Sequence, residues 1–506
     1  MKPTLFLSLI TLFTTLHAEP FQKGQQVVAR KDVDIKRGKQ VIAAANRGER
    51  MTVLSVSGSW VGVALDSPQG TKRGWVKSGY LMAAPASVRT PSTQTSPRTS
   101  TSSDTGLGTG DWAAFRGPNF GTSSEKLPTE WSATENVAWK TALPGPGSSS
   151  PIVVGDRIYI TCYTGYGLTK ENPGDLMNLK RHLLCVNRAD GKIIWNKAIP
   201  TVREGMKYGG FLTRHGYASS TPISDGERIF VYFGNSGAYA FDLNGKQLWR
   251  TDCGQKTHGF GSGASPILHG NLVIFNASAE SGSLIALEKL TGGEVWRSDG
   301  IKDAWNTPII IEANGHRELI VACRKVMHAI NPDDGAKLWR WTGHFADQYV
   351  CPSIVFHDGN VLAMNSYAEF VSIRPGGNGD ITDTHTNWKE RVKLSVSSPV
   401  YNDGHIFIAS DDRFVACFNI KEGGRPKTAR FQPKNKGIYA SPIVAGGRLY
   451  IVSIWDGAYV FSATPDLKLI AHNKIEGDDT DFNASPVPHK GQLLLRSNKF
   501  LYCIGK

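Results

Sequence analysis

The chain has 506 residues, of which 40% are hydrophobic and 20% are charged, and this composition is typical of globular proteins and excludes a wholly disordered chain. The formal net charge is +13 at pH 7. Lys and Arg are spread along the chain, and no nucleic-acid-binding motif is present. We therefore expect a solvated basic surface with an attraction for anionic envelope polymers, and no nucleic-acid partner.

Residues 1–18 have the pattern of a secretory signal peptide. Lys2 precedes the apolar run Leu5–Leu16, and His17-Ala18 precedes Glu19. The run is too short to span a bilayer, and no cysteine follows it that could carry a lipid. The sequence therefore predicts a soluble protein, periplasmic or secreted, in the envelope of a Gram-negative-type bacterium, with no transmembrane segment after signal cleavage.

Two regions of different composition follow the signal. Residues 21–82 contain short β-type runs, such as Arg50–Val56 and Trp60–Ala64, which predict a small β domain. Residues 83–110 are rich in Ser, Thr, Pro and Gly without apolar periodicity, so this stretch cannot bury a core and is predicted to be a disordered linker.

From Asp111 onward the sequence repeats. A Ser-Pro-like step followed by apolar residues recurs every 42 to 47 residues after a first interval of 71, at Pro151, Pro222, Pro266, Pro308, Pro352, Pro399, Pro442 and Pro486. Each proline is followed by a glycine turn and an alternating strand, and several units add a second hairpin such as Asp190-Gly-Lys-Ile-Ile-Trp195. Four short strands in about 44 residues are the content of one propeller blade.

The strand count predicts how the ring closes. The last unit has three strands and lacks a Trp-bearing fourth strand, whereas Asn136–Lys140 is a Trp-bearing strand without the preceding three. Pairing Asn136–Lys140 with Phe500–Ile504 completes an eighth blade and leaves no open strand edge. The sequence thus predicts an all-β fold, an eight-bladed β-propeller over residues 111–506, in which the recurring Trp packs between blades.

The first unit is the longest, and its extra residues fall in Tyr163–Arg181 and Thr201–Tyr217. Long loops on a rigid scaffold often carry function, but a tolerated surface insertion explains the same pattern, and the sequence leaves both interpretations open.

The seven cysteines include no C-x-x-C and no adjacent pair. Most of them lie in strand-like runs, where a buried thiol acts as a small hydrophobic side chain. Cys162 and Cys185 fall on neighbouring strands and are the best candidates for a disulfide, because export permits such bonds.

The repeats resemble the quinoprotein-like propeller repeat family, named for pyrroloquinoline quinone (PQQ). The entry segment Trp112-Ala-Ala-Phe-Arg-Gly-Pro-Asn119, together with Arg214–Pro222 and Phe260–Pro266, is similar to that of secreted propeller proteins of planctomycete-type bacteria. The resemblance covers residues 112–506 and implies the fold. It leaves the function open, because this fold includes both quinone dehydrogenases and proteins without catalytic activity.

The N-terminal region resembles bacterial SH3-like domains in Gly58-Ser-Trp60-Val-Gly-Val63 and Gly74-Trp75-Val76. It departs from the wall-peptide-binding members at Asp34–Gly38. Trp60 and Trp75 are candidates for an aromatic binding surface. The alternative, which a small domain favours, is that both belong to the barrel core.

A PQQ-dependent dehydrogenase would need a clamp for the planar quinone, oxygen ligands for Ca²⁺ and a carboxylate base. Alcohol-oxidising members of the resembled family commonly carry adjacent cysteines, which are absent here. Residues that precede motif prolines lie at blade starts and are candidates to face the axis, namely His215, Phe260, Trp305-Asn306, Tyr349, Tyr439 and Phe482-Asn483. Of these, His215, Trp305 and Asn306 are the candidates for cofactor binding. Asn276 and Glu280 are candidate metal ligands, although Asn and Ser also make local turn contacts. No residue is assigned a catalytic role.

The combination of an SH3-like module, a linker and a propeller favours a non-catalytic, monomeric scaffold of the cell envelope that binds protein partners without a cofactor. In architecture it resembles the propeller subunit of the outer-membrane β-barrel assembly machinery. Two alternatives remain: a PQQ- and Ca²⁺-dependent oxidoreductase acting on alcohols or sugars, and a module that binds glycan or cell-wall polymer.

Overall fold

A computed structural model describes most of the chain from residue 21 onward, and the described ranges are 21–22, 25–30, 33–37, 40–45, 50–57, 59–65, 72–83, 111–343, 349–365, 369–392, 396–410, 414–434 and 436–505. The chain divides into two compact units, Met1–Thr99 and Ser100–Lys506. The predicted signal peptide and almost all of the predicted linker lie outside the described residues. No helix among the described residues is both long enough and apolar enough to cross a membrane.

The first unit contains a seven-stranded antiparallel sheet. Its strands are Gln26–Ala29, Val33–Arg37, Gln40–Ala45, Arg50–Ser57, Trp60–Leu65, Lys72–Lys77 and Leu81–Ala83, with a 3₁₀ turn at Ser78–Tyr80. Alternate strand residues, among them Val53, Val61 and Val63, form an apolar cluster that is closed to solvent, as period-two patterning requires. The assignment of this sheet to the SH3-like class stays a prediction.

The second unit is an eight-bladed β-propeller, and each blade contains a four-stranded antiparallel set of strands. Blades 1 to 4 consist of Ile152–Val154, Arg157–Thr164, Lys180–Asn187 and Ile193–Pro200; Ile223–Ser224, Arg228–Tyr232, Ala238–Asp242 and Gln247–Thr251; Ile267–His269, Leu272–Ala277, Ser283–Glu288 and Glu294–Asp299; Ile309–Ala313, His316–Cys323, Val326–Ile330 and Lys337–Trp341. Blades 5 to 8 consist of Val355–His357, Asn360–Met364, Glu369–Ile373 and Thr386–Arg391; Val400–Asn402, His405–Ala409, Phe414–Asn419 and Gly423–Arg430; Ile443–Ala445, Arg448–Val452, Ala458–Ser462 and Leu469–Asn473; Val487–His489, Gln492–Arg496, Phe500–Ile504 and Val137–Ala142.

Short elements lie between and beside the blades. Thr122–Ser123 adds a parallel strand to blade 7, and Gly379–Asp380 adds one to blade 4. The helices are one turn long, at Leu212–His215 and Thr382–His385, with 3₁₀ turns at Leu176–Asn178 and Gly234–Ser236.

The predicted closure is confirmed. Val137–Ala142 pairs antiparallel with Phe500–Ile504, and Trp139 lies opposite Cys503. Two segments more than 350 residues apart in the sequence therefore form one sheet, which leaves neither edge of the ring unpaired.

The recurring tryptophan of the fourth strand, which blades 6 and 7 lack, packs between blades, as predicted. In five blades its indole N–H donates to a main-chain carbonyl in the last turn of the following blade, in the pairs Trp139–Arg188 (2.9 Å), Trp195–Leu243 (3.2 Å), Trp249–Lys289 (2.9 Å), Trp296–Pro332 (3.0 Å) and Trp388–Ile420 (3.0 Å). A glycine makes room for the ring. Gly292 has φ +70°, and a Cβ added there would lie 2.5 Å from the Trp249 ring. The contact combines apolar burial with a satisfied indole donor.

The structure shows that the predicted disulfide is wrong. Cys162 lies opposite His182 and Cys185 opposite Tyr159, so the strands are neighbours, but the two cysteines are offset by an odd number of residues. Side chains alternate between sheet faces. Cys162 therefore packs toward blade 8 and Cys185 toward blade 2, and both remain free thiols.

Two buried histidines should make the folded propeller less stable at acid pH. Burial lowers the pKa of His328 and His489 to about 4, and the cations Lys337 and Arg188 act in the same direction. An unfolded histidine titrates near pH 6.5, so between pH 6.5 and 4 the unfolded chain binds more protons than the folded chain. The free energy of unfolding then falls as pH falls, by roughly 1 to 3 kcal/mol per histidine.

We expect the thermal midpoint of the propeller to fall steadily from pH 7 to pH 4.5 in calorimetry. His489→Gln, which cannot titrate, should show a smaller fall than the wild type. A midpoint that stays constant or rises over this range would contradict the assignment.

Candidate functional site

A chamber of about 410 Å³ lies at the centre of the propeller and is lined by residues that precede the first strand of every blade. This volume is within the range of small-molecule sites, roughly 300 to 1,000 Å³. The chamber exists because eight blades of a closed ring leave an axial channel that their inner ends line.

Eight hydroxyl side chains form a closed belt around this chamber, and we call them the hydroxyl ring. Each hydroxyl oxygen accepts a hydrogen bond of 2.9 to 3.1 Å from the main-chain N–H of the preceding member, and the last member returns to the first. The members, in order, are Ser150, Thr221, Ser265, Thr307, Ser353, Ser398, Ser441 and Ser485. The ring satisfies one buried main-chain donor per blade, which would otherwise cost free energy.

The segment that contains the entry signature contacts the far ends of the first strands. Trp112 forms an antiparallel β-bridge with Val153 of blade 1. The Ala113 carbonyl accepts a hydrogen bond from a main-chain N–H of blade 2, and the Gly121 carbonyl accepts one from blade 7. Phe115 lines the chamber, and the buried Arg116 donates to the Pro399 carbonyl of blade 6. The segment with the entry signature therefore has a structural role, since it connects blades 1, 2, 6 and 7.

The second insertion of blade 1 covers the opposite end. Its one-turn helix Leu212–His215 is held by three hydrogen bonds from different blades. The Asn483 amide donates to the Arg214 carbonyl at 2.6 Å, Ser148 Oγ donates to the His215 carbonyl at 3.0 Å, and His215 Nε2 lies 2.7 Å from the Phe260 carbonyl. The insertion is thus part of the chamber wall, which favours the functional interpretation over a tolerated surface loop.

His215 is a neutral, fixed side chain. Its Nδ1 lies 2.6 Å from Ser219 Oγ, and its Nε2 donates to the Phe260 carbonyl, since a carbonyl can only accept. Burial lowers the pKa of His215. With both nitrogens engaged, the imidazole positions the helix and has no nitrogen available to act as a general base.

An aromatic collar of Phe260, Trp305 and Tyr349 lines one side of the mouth. The three rings meet edge to face, with centroids 4.5 to 5.6 Å apart, and His258 packs against all three. Such edge-to-face contacts hold the three rings in fixed positions in the chamber wall.

The structure brings two of the three cofactor-binding candidates to the chamber, together with the axis-facing candidates Phe260, Tyr349, Tyr439 and Asn483. His215 and Trp305 line it. Asn306 differs from the expectation: it is fully buried, and its amide donates to the Ala322 and Val350 carbonyls. Neighbouring residues of an extended segment point in opposite directions, so only one of this pair can face the axis.

The two metal candidates lie outside the chamber. Asn276 is buried in the second strand of blade 3, where its amide donates to the Ala304 and Asn306 carbonyls and its oxygen accepts from Ser278 N–H. Glu280 is buried beside a smaller cavity and hydrogen-bonds to Ser262. Burial raises the pKa of Glu280, which opposes the ionised form that binds a cation.

The chamber does not fit a quinone–calcium pair. The described residues that line it include no Asp or Glu, and Ca²⁺ sites rely on carboxylate oxygens. The described part of the chain contains no group of three or more His, Cys, Asp and Glu arranged for a metal ion. Arg214 is the charged side chain among the described lining residues.

In the first unit, Trp60 and Trp75 both lie outside the apolar core. Trp60 is 37% exposed, with Lys77 Nζ 5.8 Å from its ring centroid, and Trp75 is half-buried. Trp75 lies opposite Gly62 on the neighbouring strand, two residues from Trp60, so the two rings share one face of the sheet. The core alternative is therefore wrong, and a binding role stays a prediction.

The sequence interpretation missed the hydroxyl ring. Its signal was present, because Ser or Thr precedes the motif proline in seven of the eight units. Blade 5 hid the pattern, since there the order is Cys351-Pro352-Ser353 and the hydroxyl follows the proline. Arg116 was also missed, because nothing in its local sequence shows that its partner is in blade 6.

Comparison with known proteins agrees with this architecture. A family model described as outer membrane protein assembly factor BamB matches residues 176–308 and 277–465. These matches together cover more than half of the chain, so the protein belongs to this family of PQQ-like repeat propellers.

Individual relatives are distant. The chain is 22% identical to a tetrathionate hydrolase of Acidithiobacillus ferrooxidans over 372 residues, which is 67% of this chain and 68% of that protein. The structure of BamB from Moraxella catarrhalis matches with a TM-score of 0.51 and 13% identity, covering 72% of this chain and 98% of that one. The quinohemoprotein alcohol dehydrogenase from Comamonas testosteroni matches with a TM-score of 0.59 and 10% identity, covering 79% of this chain and 81% of that one. These structural likenesses show the fold alone.

Proposed function

We propose that the protein is a non-catalytic, partner-binding propeller of the cell envelope, exported by its N-terminal signal. The observation that carries the proposal is the surface of the two blade 1 insertions. Four exposed apolar side chains lie on these insertions, namely Leu168 (52%), Met177 (71%), Val202 (47%) and Phe211 (56%). Several exposed apolar residues on one part of a protein surface are a feature of interaction sites.

The insertions are rigid enough to present that surface. They share a buried aromatic cluster in which Tyr163 and Tyr166 pack on Tyr217, and Thr201 Oγ1 donates to the Leu179 carbonyl at 2.7 Å. A preorganised surface loses less entropy on binding than a mobile loop.

Two further points support a scaffold. The family to which the chain belongs carries the description of an assembly factor, which fits a protein that binds other envelope proteins. The chamber also lacks described carboxylates, so it offers no general base for quinone-dependent oxidation.

Affinity capture from envelope extract of the native organism tests the proposal. The wild-type chain should retain a defined set of proteins, and the double variant Leu168→Ser/Met177→Ser should retain at least tenfold less of them. The matched control Leu248→Ser/Leu290→Ser changes two other exposed apolar side chains (41% and 54%) on blades 2 and 3 and should capture normally. Equal capture by all three proteins would refute the assignment of this surface, and recovery of cell-wall polymer alone would favour the glycan-binding alternative.

Turnover assays test the catalytic alternatives. We expect no oxidation of alcohols or sugars by the purified protein with PQQ and Ca²⁺ in a dye-linked assay, and no hydrolysis of tetrathionate. Turnover above the protein-free control that is lost on Arg214→Gln would overturn the non-catalytic assignment.

A further inference from the structure

The hydroxyl ring is a ring of hydrogen-bond donors. A serine or threonine hydroxyl can accept two hydrogen bonds and donate one. Each ring oxygen accepts a main-chain N–H, as described above, and among the described residues no ring hydroxyl donates to a protein acceptor. All eight are at least nine-tenths buried and line the chamber, so their O–H groups are available to whatever occupies it.

Three arginines lie at or next to the described lining of the chamber, and no Asp or Glu is among the described lining residues. Arg214 lines the chamber, Arg116 follows the lining residue Phe115, and Arg496 donates to the carbonyl and hydroxyl of Ser149, next to the ring. Arg116 and Arg496 are buried, and two of the three guanidinium nitrogens of each have no hydrogen-bond partner. Buried cations without a carboxylate partner create a positive potential that an anion would relieve.

The balance of donors and acceptors agrees with the charge. Asn483 Oδ1 is a buried, unpartnered acceptor on the chamber wall, against eight hydroxyl donors. Convergent neutral donors inside a protein, where the effective dielectric constant is lower than in bulk water, bind oxygen anions more strongly than they do in water.

We infer that the axial chamber is a binding site for a small tetrahedral oxoanion, sulfate or phosphate, held by the hydroxyl ring and Arg214. The volume exceeds that of one such anion. At about 30 Å³ per water molecule, the remainder holds water that completes the coordination. The inference does not rest on the partner-binding proposal, because it depends on the ring hydroxyls and the buried arginines; Phe211 belongs both to the chamber lining and to the exposed insertion surface.

Equilibrium dialysis of the full chain with labelled sulfate or labelled phosphate measures the binding directly, at constant ionic strength set with chloride. Perchlorate is the matched control, because it is tetrahedral and anionic but accepts hydrogen bonds poorly. We expect saturable binding of sulfate or phosphate, and competition by perchlorate at least tenfold weaker. The two labels decide which oxoanion the chamber prefers. Thermal stabilisation is not the readout, because sulfate stabilises folded proteins generally.

Cys351 reports where the anion binds. Its half-buried thiol lines the chamber, whereas the other six cysteines are buried. The preferred anion should slow alkylation of Cys351 by iodoacetamide, with half-protection at the concentration that half-saturates binding.

Arg214→Gln should weaken binding at least tenfold, and Arg317→Gln, an exposed arginine on blade 4, should leave it unchanged. Three results would each overturn the inference: absence of saturable binding, equal competition by perchlorate, or full affinity in Arg214→Gln. None of these results bears on capture of envelope proteins, so failure here is distinguishable from failure of the proposed function.

Discussion

Trp139→Ala is expected to lower the free energy of unfolding of the propeller by about 3 to 5 kcal/mol, the cost of truncating a large buried aromatic. Trp139 is 9% exposed, packs over Gly191 and donates to the Arg188 carbonyl. It belongs to the strand that closes blade 8, so its loss also weakens the joint between the two ends of the repeat region.

Denaturant titration of the full chain, followed by calorimetry of the propeller transition, measures this effect. Trp249→Ala removes the equivalent contact between blades 2 and 3, but hairpins connect all four strands of blade 2, so this variant should destabilise less than Trp139→Ala. Trp60→Ala, at an exposed position of the first unit, should change the propeller transition by less than about 0.5 kcal/mol. The closure argument fails if Trp139→Ala is no more destabilising than Trp60→Ala.

Thr307→Val is expected to lower the free energy of unfolding by about 1 to 3 kcal/mol, although it keeps the shape of the side chain. The change removes the acceptor for the Ser265 N–H, which lies 3.1 Å from Thr307 Oγ1, and leaves that donor buried without a partner. A broken ring also loosens the contact between blades 3 and 4.

Hydrogen exchange at the Ser265 amide reports this effect at one atom. We expect faster exchange in Thr307→Val and wild-type exchange in Thr307→Ser, which keeps the hydroxyl. If both variants behave alike, the ring hydrogen bond does not contribute to stability.

The candidate site was predictable only in part. His215 and Trp305 were found because they precede motif prolines, and position within a repeat is a local signal. Asn306 was placed with them, although its neighbour Trp305 takes the chamber side and Asn306 turns to the Ala322 and Val350 carbonyls. Outside regular strands the sequence does not reveal which of two adjacent side chains faces inward. The predicted disulfide between Cys162 and Cys185 was wrong for a related reason. The offset between two neighbouring strands is set by the intervening loop, and the sequence does not reveal that offset.

The sequence by itself determined the blades, their number and the closing pair of segments, Asn136–Lys140 and Phe500–Ile504, because these depend on local alternation and on a repeat that can be counted. Only the tertiary structure revealed three features: the hydroxyl ring, the hydrogen bond from Arg116 to blade 6, and the position of the helix Leu212–His215 at one end of the chamber. The physical reason is distance along the chain. Ring neighbours are 42 to 71 residues apart within the repeats, and they meet only when eight blades close around one axis.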